Sequence, residues 1–220
     1  MTGREFKDIV FEQFAKIAQA FSSPKRLEII DILAQGERDV DSLSQQVNMT
    51  IANTSRHLQA LKNARLVENR RAGVQVFYRL AGTEVLHCYN HLQSLAEMRS
   101  AEIREIVRAF FEERDGMEPI SKDELWKRIQ DNDVIVLDVR PEEEYQSGHI
   151  SGGLSVPLSQ LKDKLKEIPQ DREIVAYCRG QYCVLSAEAM TILRDAGYHA
   201  LRLKEGWLEW KEAGLPIDES

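Results

Sequence analysis

Phe6, Ile9, Val10, Phe14, Ile17, Ala18 and Phe21 recur at helical spacing and predict an amphipathic helix over the first twenty or so residues. Ser23-Pro24 offers a cap and a first-turn proline for a second helix, with Leu27, Ile30 and Leu33 on one face and Gly36 as its stop. A short helix follows at about Val40–Val47. Thr50 then caps a helix to about Asn63 whose apolar side is Ile51, Leu58 and Leu61. Its other side carries Asn53, Thr54, Ser55, Arg56, His57 and Gln59. From Leu66 to Leu80 the period changes to two. Val74, Val76, Tyr78 and Leu80 alternate with Gln75, Phe77 and Arg79, which predicts a hairpin turning near Ala72-Gly73. One long helix is expected from Thr83 to Arg114.

Beyond a predicted linker at 115–119 the pattern becomes strand and helix in alternation. Strands are expected at 134–139, 154–157, 173–177 and 200–203, and helices at about 122–132, 159–166, 182–196 and 206–213. The chain therefore divides into a mainly α unit with a winged helix-turn-helix pattern (1–114) and an α/β unit with a largely parallel sheet (120–220).

Charge sharpens the division. Residues 1–115 balance 16 basic against 16 acidic side chains, so residues 116–220 hold the entire net charge of −7. Between 53 and 79 six basic residues (Arg56, Lys62, Arg65, Arg70, Arg71, Arg79) face one acid, Glu68. Phosphate contacts act within about a Debye length, roughly 8–10 Å, so this local excess counts for more than the global charge. Two helices, a tight turn and a basic hairpin predict that one helix enters the major groove of double-stranded operator DNA while the hairpin follows the backbone. The candidate DNA contacts are Asn53, Thr54, Ser55, Arg56, His57, Gln59 and Lys62, with Arg70 and Arg71 at the hairpin.

The second unit's chemistry lies in Cys178-Arg179-Gly180-Gln181-Tyr182-Cys183, between an apolar strand and a helix. Backbone N–H groups and a helix N-terminus there favour an anion, so Cys178 is expected to be a nucleophilic thiolate. Three cysteines cannot build a disulfide framework, and no apolar run approaches the roughly 18–20 residues of a membrane span. The expectation is a cytoplasmic protein with chemical rather than structural thiols, no membrane partner and no cofactor. His87 and His91 are four apart beside Cys88, a spacing able to chelate a metal, although a seam or surface role accounts for them more simply, and no metal is assigned.

Residues 5–110 resemble the ArsR/SmtB family of bacterial repressors, on Ser23-Pro-Lys-Arg-Leu-Glu-Ile-Ile-Asp-Ile-Leu33, Asn53-Thr-Ser-Arg-His-Leu-Gln-Ala-Leu61 and the wing ending Phe77-Tyr-Arg-Leu80. The resemblance implies a homodimer joined by its first and last helices on an imperfect inverted repeat. Residues 118–220 resemble a rhodanese domain, on Val136-Leu-Asp-Val-Arg-Pro-Glu-Glu-Glu-Tyr-Gln-Ser-Gly-His-Ile-Ser-Gly-Gly-Leu-Ser-Val-Pro157 and Tyr177-Cys-Arg-Gly-Gln-Tyr-Cys183. That likeness implies that Cys178 takes sulfane sulfur from thiosulfate, polysulfide or a low-molecular-weight persulfide and holds it within the loop formed by Gly180, Gln181 and Tyr182. Arg179 would help bind an anionic donor, and Asp138, Arg140 and His149 would support the loop. Related phosphatases place an Arg six residues after the Cys; here that residue is Val184, which excludes phosphate-ester chemistry. Cys183 at the loop's end can resolve a persulfide into a Cys178–Cys183 bridge, hold a polysulfide link, or simply pack. Three functional readings stay open: a repressor coupled to sulfur state, a sulfurtransferase whose winged helix only dimerises or tethers it to DNA, and a metal sensor.

Overall fold

A computed structural model describes residues 1–115, 119–169 and 172–219, with the side chains of 112–115 outside the description. Residues 116–118 of the expected linker also lie outside it. The chain forms two compact units, Met1–Arg99 and Ser100–Ser220.

In the first unit, α1 (Gly3–Phe21) begins with a capping box. The Thr2 hydroxyl accepts from the Glu5 N–H (3.2 Å), and the Thr2 N–H donates to Glu5 Oε2 (2.7 Å). Then come α2 (Pro24–Ala34), β1 (Arg38–Asp39), α3 (Val40–Gln46), α4 (Ile51–Asn63), β2 (Val67–Ala72), β3 (Gln75–Leu80) and α5 (Thr83–Arg99). The core gathers Ile29, Ile30, Ile32 and Leu33 of α2 with Leu43 of α3 and Leu58 and Leu61 of α4. β2 and β3 form the expected hairpin, closed by Gly73-Val74. Gly73 stands at φ +61°, a left-handed conformation suited to the first turn position. Val74 therefore sits at the tip, fully exposed, and leaves the inward set to Val76, Tyr78 and Leu80. β1 adds a third strand against β3.

The helix expected over 83–114 is two helices. The chain leaves the helical path at Ser100, whose hydroxyl accepts from the Ile103 N–H at 3.2 Å and caps the next helix. That helix, α6 (Ala101–Asp115), groups with the second unit, where Arg202 stacks over the Phe111 ring at 4.3 Å.

The rest of the second unit runs α7 (Lys122–Gln130), β4 (Val134–Asp138), α8 (Glu142–Gln146), β5 (His149–Ile150), β6 (Leu154–Ser155), α9 (Leu158–Lys164), β7 (Glu173–Tyr177), α10 (Val184–Asp195), β8 (Ala200–Arg202), α11 (Trp207–Glu212) and β9 (Ile217–Asp218). Four strands form a parallel sheet in the order β6-β4-β7-β8, and β5 pairs antiparallel with β9. Strand alternation sorts two cores. Ile135, Leu137, Ile174 and Ala176 face Leu161 of α9 and Met190 and Leu193 of α10. Val134, Val136, Val175 and Tyr177 face Leu125 of α7 and Trp207 and Trp210 of α11. After β4 the chain passes to β6 on one side and then to β7 on the other. The carboxyl ends of β4 and β7 thus flank the switch point, where α/β sheets form their ligand crevices.

Candidate functional site

In the first unit the exposed side of α4 presents Asn53, Ser55, Arg56, Gln59 and Lys62, with His57 half-buried. Two assignments change. Thr54 is fully buried, its hydroxyl donating back to the Thr50 carbonyl (3.1 Å), so it belongs to the core side with Leu58 and Leu61. Ile51 is 54% exposed in the first turn and leaves that set. At the wing, Arg70 is held by Glu37 (Nε to Oε2 2.9 Å) and stacked over Phe77 at 4.7 Å. Arg79 pairs with Glu68 at 2.9 Å. Arg56, Lys62, Arg65 and Arg71 carry no ion pair among the described residues, and all four are exposed. Partial burial, followed by the charges of Arg26 and Lys25, pushes the His57 pKa below its ordinary value.

In the second unit, alternation along β7 puts Tyr177 on one face of the sheet and Cys178 on the other. Cys178 is 2% exposed and packs with Val139, Ala176 and Met190, with Cys183, Leu185 and Ile192 at the margin of that cluster. The expected free thiolate is replaced by a disulfide. Cys178 is bonded to Cys183, with 6.2 Å between their Cα atoms, so of the forms left open for Cys183 the bridge is the one present. Cys183 is the N-cap of α10, which begins two residues later than expected. The loop is a tight turn in which the Cys183 N–H donates to the Gly180 carbonyl (3.0 Å), with Gln181 and Tyr182 half-buried between them.

Two structures brace this loop from beneath. The Trp207 N–H donates to the Cys178 carbonyl at 2.9 Å, and Gly206 lies so close that a Cβ there would fall 2.3 Å from Arg179 C and Gly180 N. Arg179 does not reach outward as expected. Its guanidinium grips Glu144 of α8, with Nη2 to Oε1 at 2.6 Å and Nε to Oε2 at 3.0 Å. Glu144 is wholly buried, and the Arg179 side chain is 14% exposed.

Asp138 and Arg140, both fully buried, form a forked pair with Nη2 to Oδ2 at 2.6 Å and Nε to Oδ1 at 3.0 Å. Arg140 Nη2 also donates to the Gly148 carbonyl (2.8 Å), and its guanidinium lies over the Trp207 ring at 5.1 Å. The Tyr177 hydroxyl donates to Asp138 and accepts from the Ile150 N–H. Burial works against the Arg140 cation, but the hydrogen bonds and charge of Asp138 outweigh it and raise its pKa. Burial and then the Asp138 charge hold the Tyr177 phenol well above its ordinary value. The His149 ring stacks on Tyr145 with centroids 3.6 Å apart, and its Nδ1 lies 3.0 Å from the Tyr145 carbonyl. Glu144, Tyr177, Gly206 and Trp207 were not among the expected site residues. Glu144 is hidden in the run Glu142-Glu143-Glu144, and only its burial distinguishes it. A groove of ≈700 Å³ opens at the carboxyl ends of β4 and β6, floored by Val139, Pro157, Leu158, Leu185 and Ile192 and rimmed by Glu142, Glu143, Glu188 and Lys162.

The family description "Bacterial regulatory protein, arsR family" matches residues 23–69, and "Rhodanese-like domain" matches residues 121–213. The HTH-type transcriptional regulator Rv0324 of Mycobacterium tuberculosis is 42% identical over 213 residues, 97% of this chain and 93% of that protein. The chain belongs to the ArsR family of transcriptional regulators and carries a rhodanese domain. The arsR match spans α2 to α4 and ends just before Arg70, and the rhodanese match contains the whole cysteine loop. A sulfurtransferase of Allochromatium vinosum is 35% identical over 100 residues, 44% of this regulator and 92% of that protein. The solution structure of a homodimeric winged helix-turn-helix DNA-binding domain from Mycobacterium bovis is similar over 45% of the regulator and 90% of that chain, at 36% identity and a TM-score of 0.42.

His87, Cys88 and His91 are exposed on α5, with the His91 ring nitrogen 2.7 Å from the His87 carbonyl. No group of three His, Cys, Asp or Glu side chains among the described residues could hold a metal, and no described helix is long and apolar enough to cross a membrane.

Proposed function

We propose that the protein is a cytoplasmic repressor whose affinity for operator DNA is set by the sulfur state of Cys178 and Cys183. The observation that carries this reading is the buried cysteine bonded to the N-cap of α10, in a chain whose other unit exposes Arg56, Lys62, Arg65 and Arg71 with no ion pair among the described residues. The α4 side chains Asn53, Ser55, Arg56, His57, Gln59 and Lys62 read the operator, and Arg71 holds its backbone. Arg70, stacked on Phe77, shapes the wing. The working unit is a homodimer. Phe6, Ile9, Phe11 and Phe14 of α1 and Leu92, Leu95 and Met98 of α5 are all exposed in the single chain and give such a dimer its apolar seam.

The loop has three states. Two thiol equivalents reduce the bridge, leaving a Cys178–Cys183 dithiol and one external disulfide. The Cys178 thiolate then takes a sulfur atom from a sulfane donor and expels the donor's remaining thiolate. Finally the Cys183 thiolate attacks the inner sulfur of the Cys178 persulfide, re-forming the bridge and releasing hydrosulfide. Backbone N–H groups of the loop stabilise the anionic forms. Bridge closure ties residue 178 to the first turn of α10, and this is the change that biases the dimer between two geometries.

The test is affinity for DNA upstream of its own gene, at fixed salt, with the loop as dithiol, persulfide and disulfide, and with Cys178→Ser in parallel. At least about a tenfold difference between states, roughly 1.4 kcal/mol of coupling, should vanish in the variant. Equal affinity in every state refutes the coupling. A second reading, favoured by the likeness to a sulfurtransferase over the rhodanese unit, is an enzyme tethered to DNA. It expects sustained turnover lost in Cys178→Ser, with DNA affinity indifferent to sulfur.

A further inference from the structure

Arg179 is the one cation in the loop Cys178–Cys183, and its guanidinium is occupied by the buried carboxylate of Glu144, 35 residues away in sequence. The pair is electrically neutral. A second carboxylate stands close by, with Glu209 Oε1 3.4 Å from where a Gly180 side chain would begin. The neighbouring groove adds Glu142, Glu143 and Glu188 against Lys162. Flanking the loop's end are Val184, 45% exposed, and Leu185, which also lines the groove. A donor approaching Cys178 meets apolar surface and a majority of carboxylates, with Lys162 at the groove's rim and the loop's own cation already engaged.

Resting on the sulfur-transfer reading above, we infer that Glu144 sets the donor class. By neutralising Arg179 it makes Cys178 accept sulfur from neutral or singly charged organic persulfides and discriminate against dianionic thiosulfate. With an alkyl hydropersulfide, the Cys178 thiolate bonds to the outer sulfur, the donor's S–S bond breaks, and its electron pair leaves as alkyl thiolate; the proton stays on the transferred sulfur. With thiosulfate the same attack expels sulfite and leaves an anionic persulfide. Only the second reaction brings two negative charges to the thiolate, and only it needs an unpaired cation at the mouth. Glu144 does not touch the reacting atoms. It is a positioning residue that acts through Arg179.

The experiment follows the gain of one sulfur atom on Cys178 by mass spectrometry in the full chain. The protein is reduced with a dithiol and desalted, and Cys183→Ser is present throughout so that the persulfide persists. The donors are thiosulfate and an alkyl hydropersulfide. The expected rate for thiosulfate is at least about tenfold lower. Glu144→Gln should raise the thiosulfate rate relative to the hydropersulfide rate by about tenfold, and Glu144→Gln with Arg179→Gln should restore the parent ratio, which a merely structural role would not do. An unchanged ratio in Glu144→Gln, or thiosulfate as the faster donor in the parent, overturns the inference. Should the variants fail to fold, salt decides it in the parent. Added salt should leave the thiosulfate rate level or raise it, and a rate that falls with salt reveals an open cation and overturns the assignment. If neither donor modifies Cys178, the sulfur-transfer reading itself falls, and this inference with it.

Discussion

Replacing Gly206 with alanine tests how tightly the reactive loop is held from below. The residue is extended, at φ −128°, so alanine incurs no backbone strain of its own. The cost is steric. The added carbon would lie 2.3 Å from Arg179 C and Gly180 N and 2.4 Å from the Arg179 carbonyl oxygen, all backbone atoms that cannot rotate away. Ordinary contact needs about 3.5–4.0 Å, so the loop and the start of α11 must separate by more than an ångström. The next residue donates the 2.9 Å bond from the Trp207 N–H to the Cys178 carbonyl, and that bond cannot survive such a shift. Overpacking costs about 1–3 kcal/mol and the lost hydrogen bond about 1 kcal/mol, together roughly 2–4 kcal/mol. Denaturant unfolding of the whole chain measures the loss, and labelling of reduced Cys178 by a small alkylating agent should accelerate as the displaced loop loosens the packing around it. A stability change within about 0.5 kcal/mol, with labelling unchanged, would refute the account of this contact.

Further expectations concern the buried pair, the DNA-facing helix and the wing. Asp138→Asn leaves the Arg140 cation buried without its counter-charge and should cost about 3–5 kcal/mol, read as a lower denaturation midpoint. His57 should titrate below 6.5 in the free protein when followed by NMR. Its folded pKa is depressed, so the stability it contributes is fully present above the unfolded value of 6.5 and is lost as pH falls from there through the folded pKa; a midpoint above 6.5 contradicts the cause given. Arg56→Gln should weaken operator binding and reduce the slope of log affinity against log salt by about one, whereas Thr54→Val should leave DNA affinity unchanged; the reverse pattern would invert the assignment of the α4 faces. Arg71→Gln should weaken DNA binding more than Arg70→Gln when both are titrated at one salt concentration, because Arg70 is already engaged by Glu37.

Features with a local period were legible from the chain alone. The Thr50 cap and the Leu58–Leu61 spacing placed α4 at its observed start and end, and the short, nearly unbroken apolar runs at 134–139 and 173–177 placed both central strands. Errors arose where a neighbour outside the period decides. Thr54 reads as polar, yet it satisfies its hydroxyl within its own helix and so can be buried. Val74 follows the alternation but falls in the turn that ends it. β1 has two residues, too few to show a period. Ser100 is a permissible helical residue, and only its capping bond marks the break. At the site, the positions of Cys178, Asp138 and Arg140 followed from the motifs, but the partner of Arg179 did not. A pairing across 35 residues leaves no trace in spacing.

The break at Ser100 also says where this gene can be cut. A fragment ending at Asp115 would carry α6 away from its partners and lay bare Phe111, which the second unit buries, beside the already exposed Ile106 and Phe110. A fragment ending at Arg99 keeps every described element of the winged unit and none of the other's. The boundary between the two compact units thus falls inside what reads as one rod.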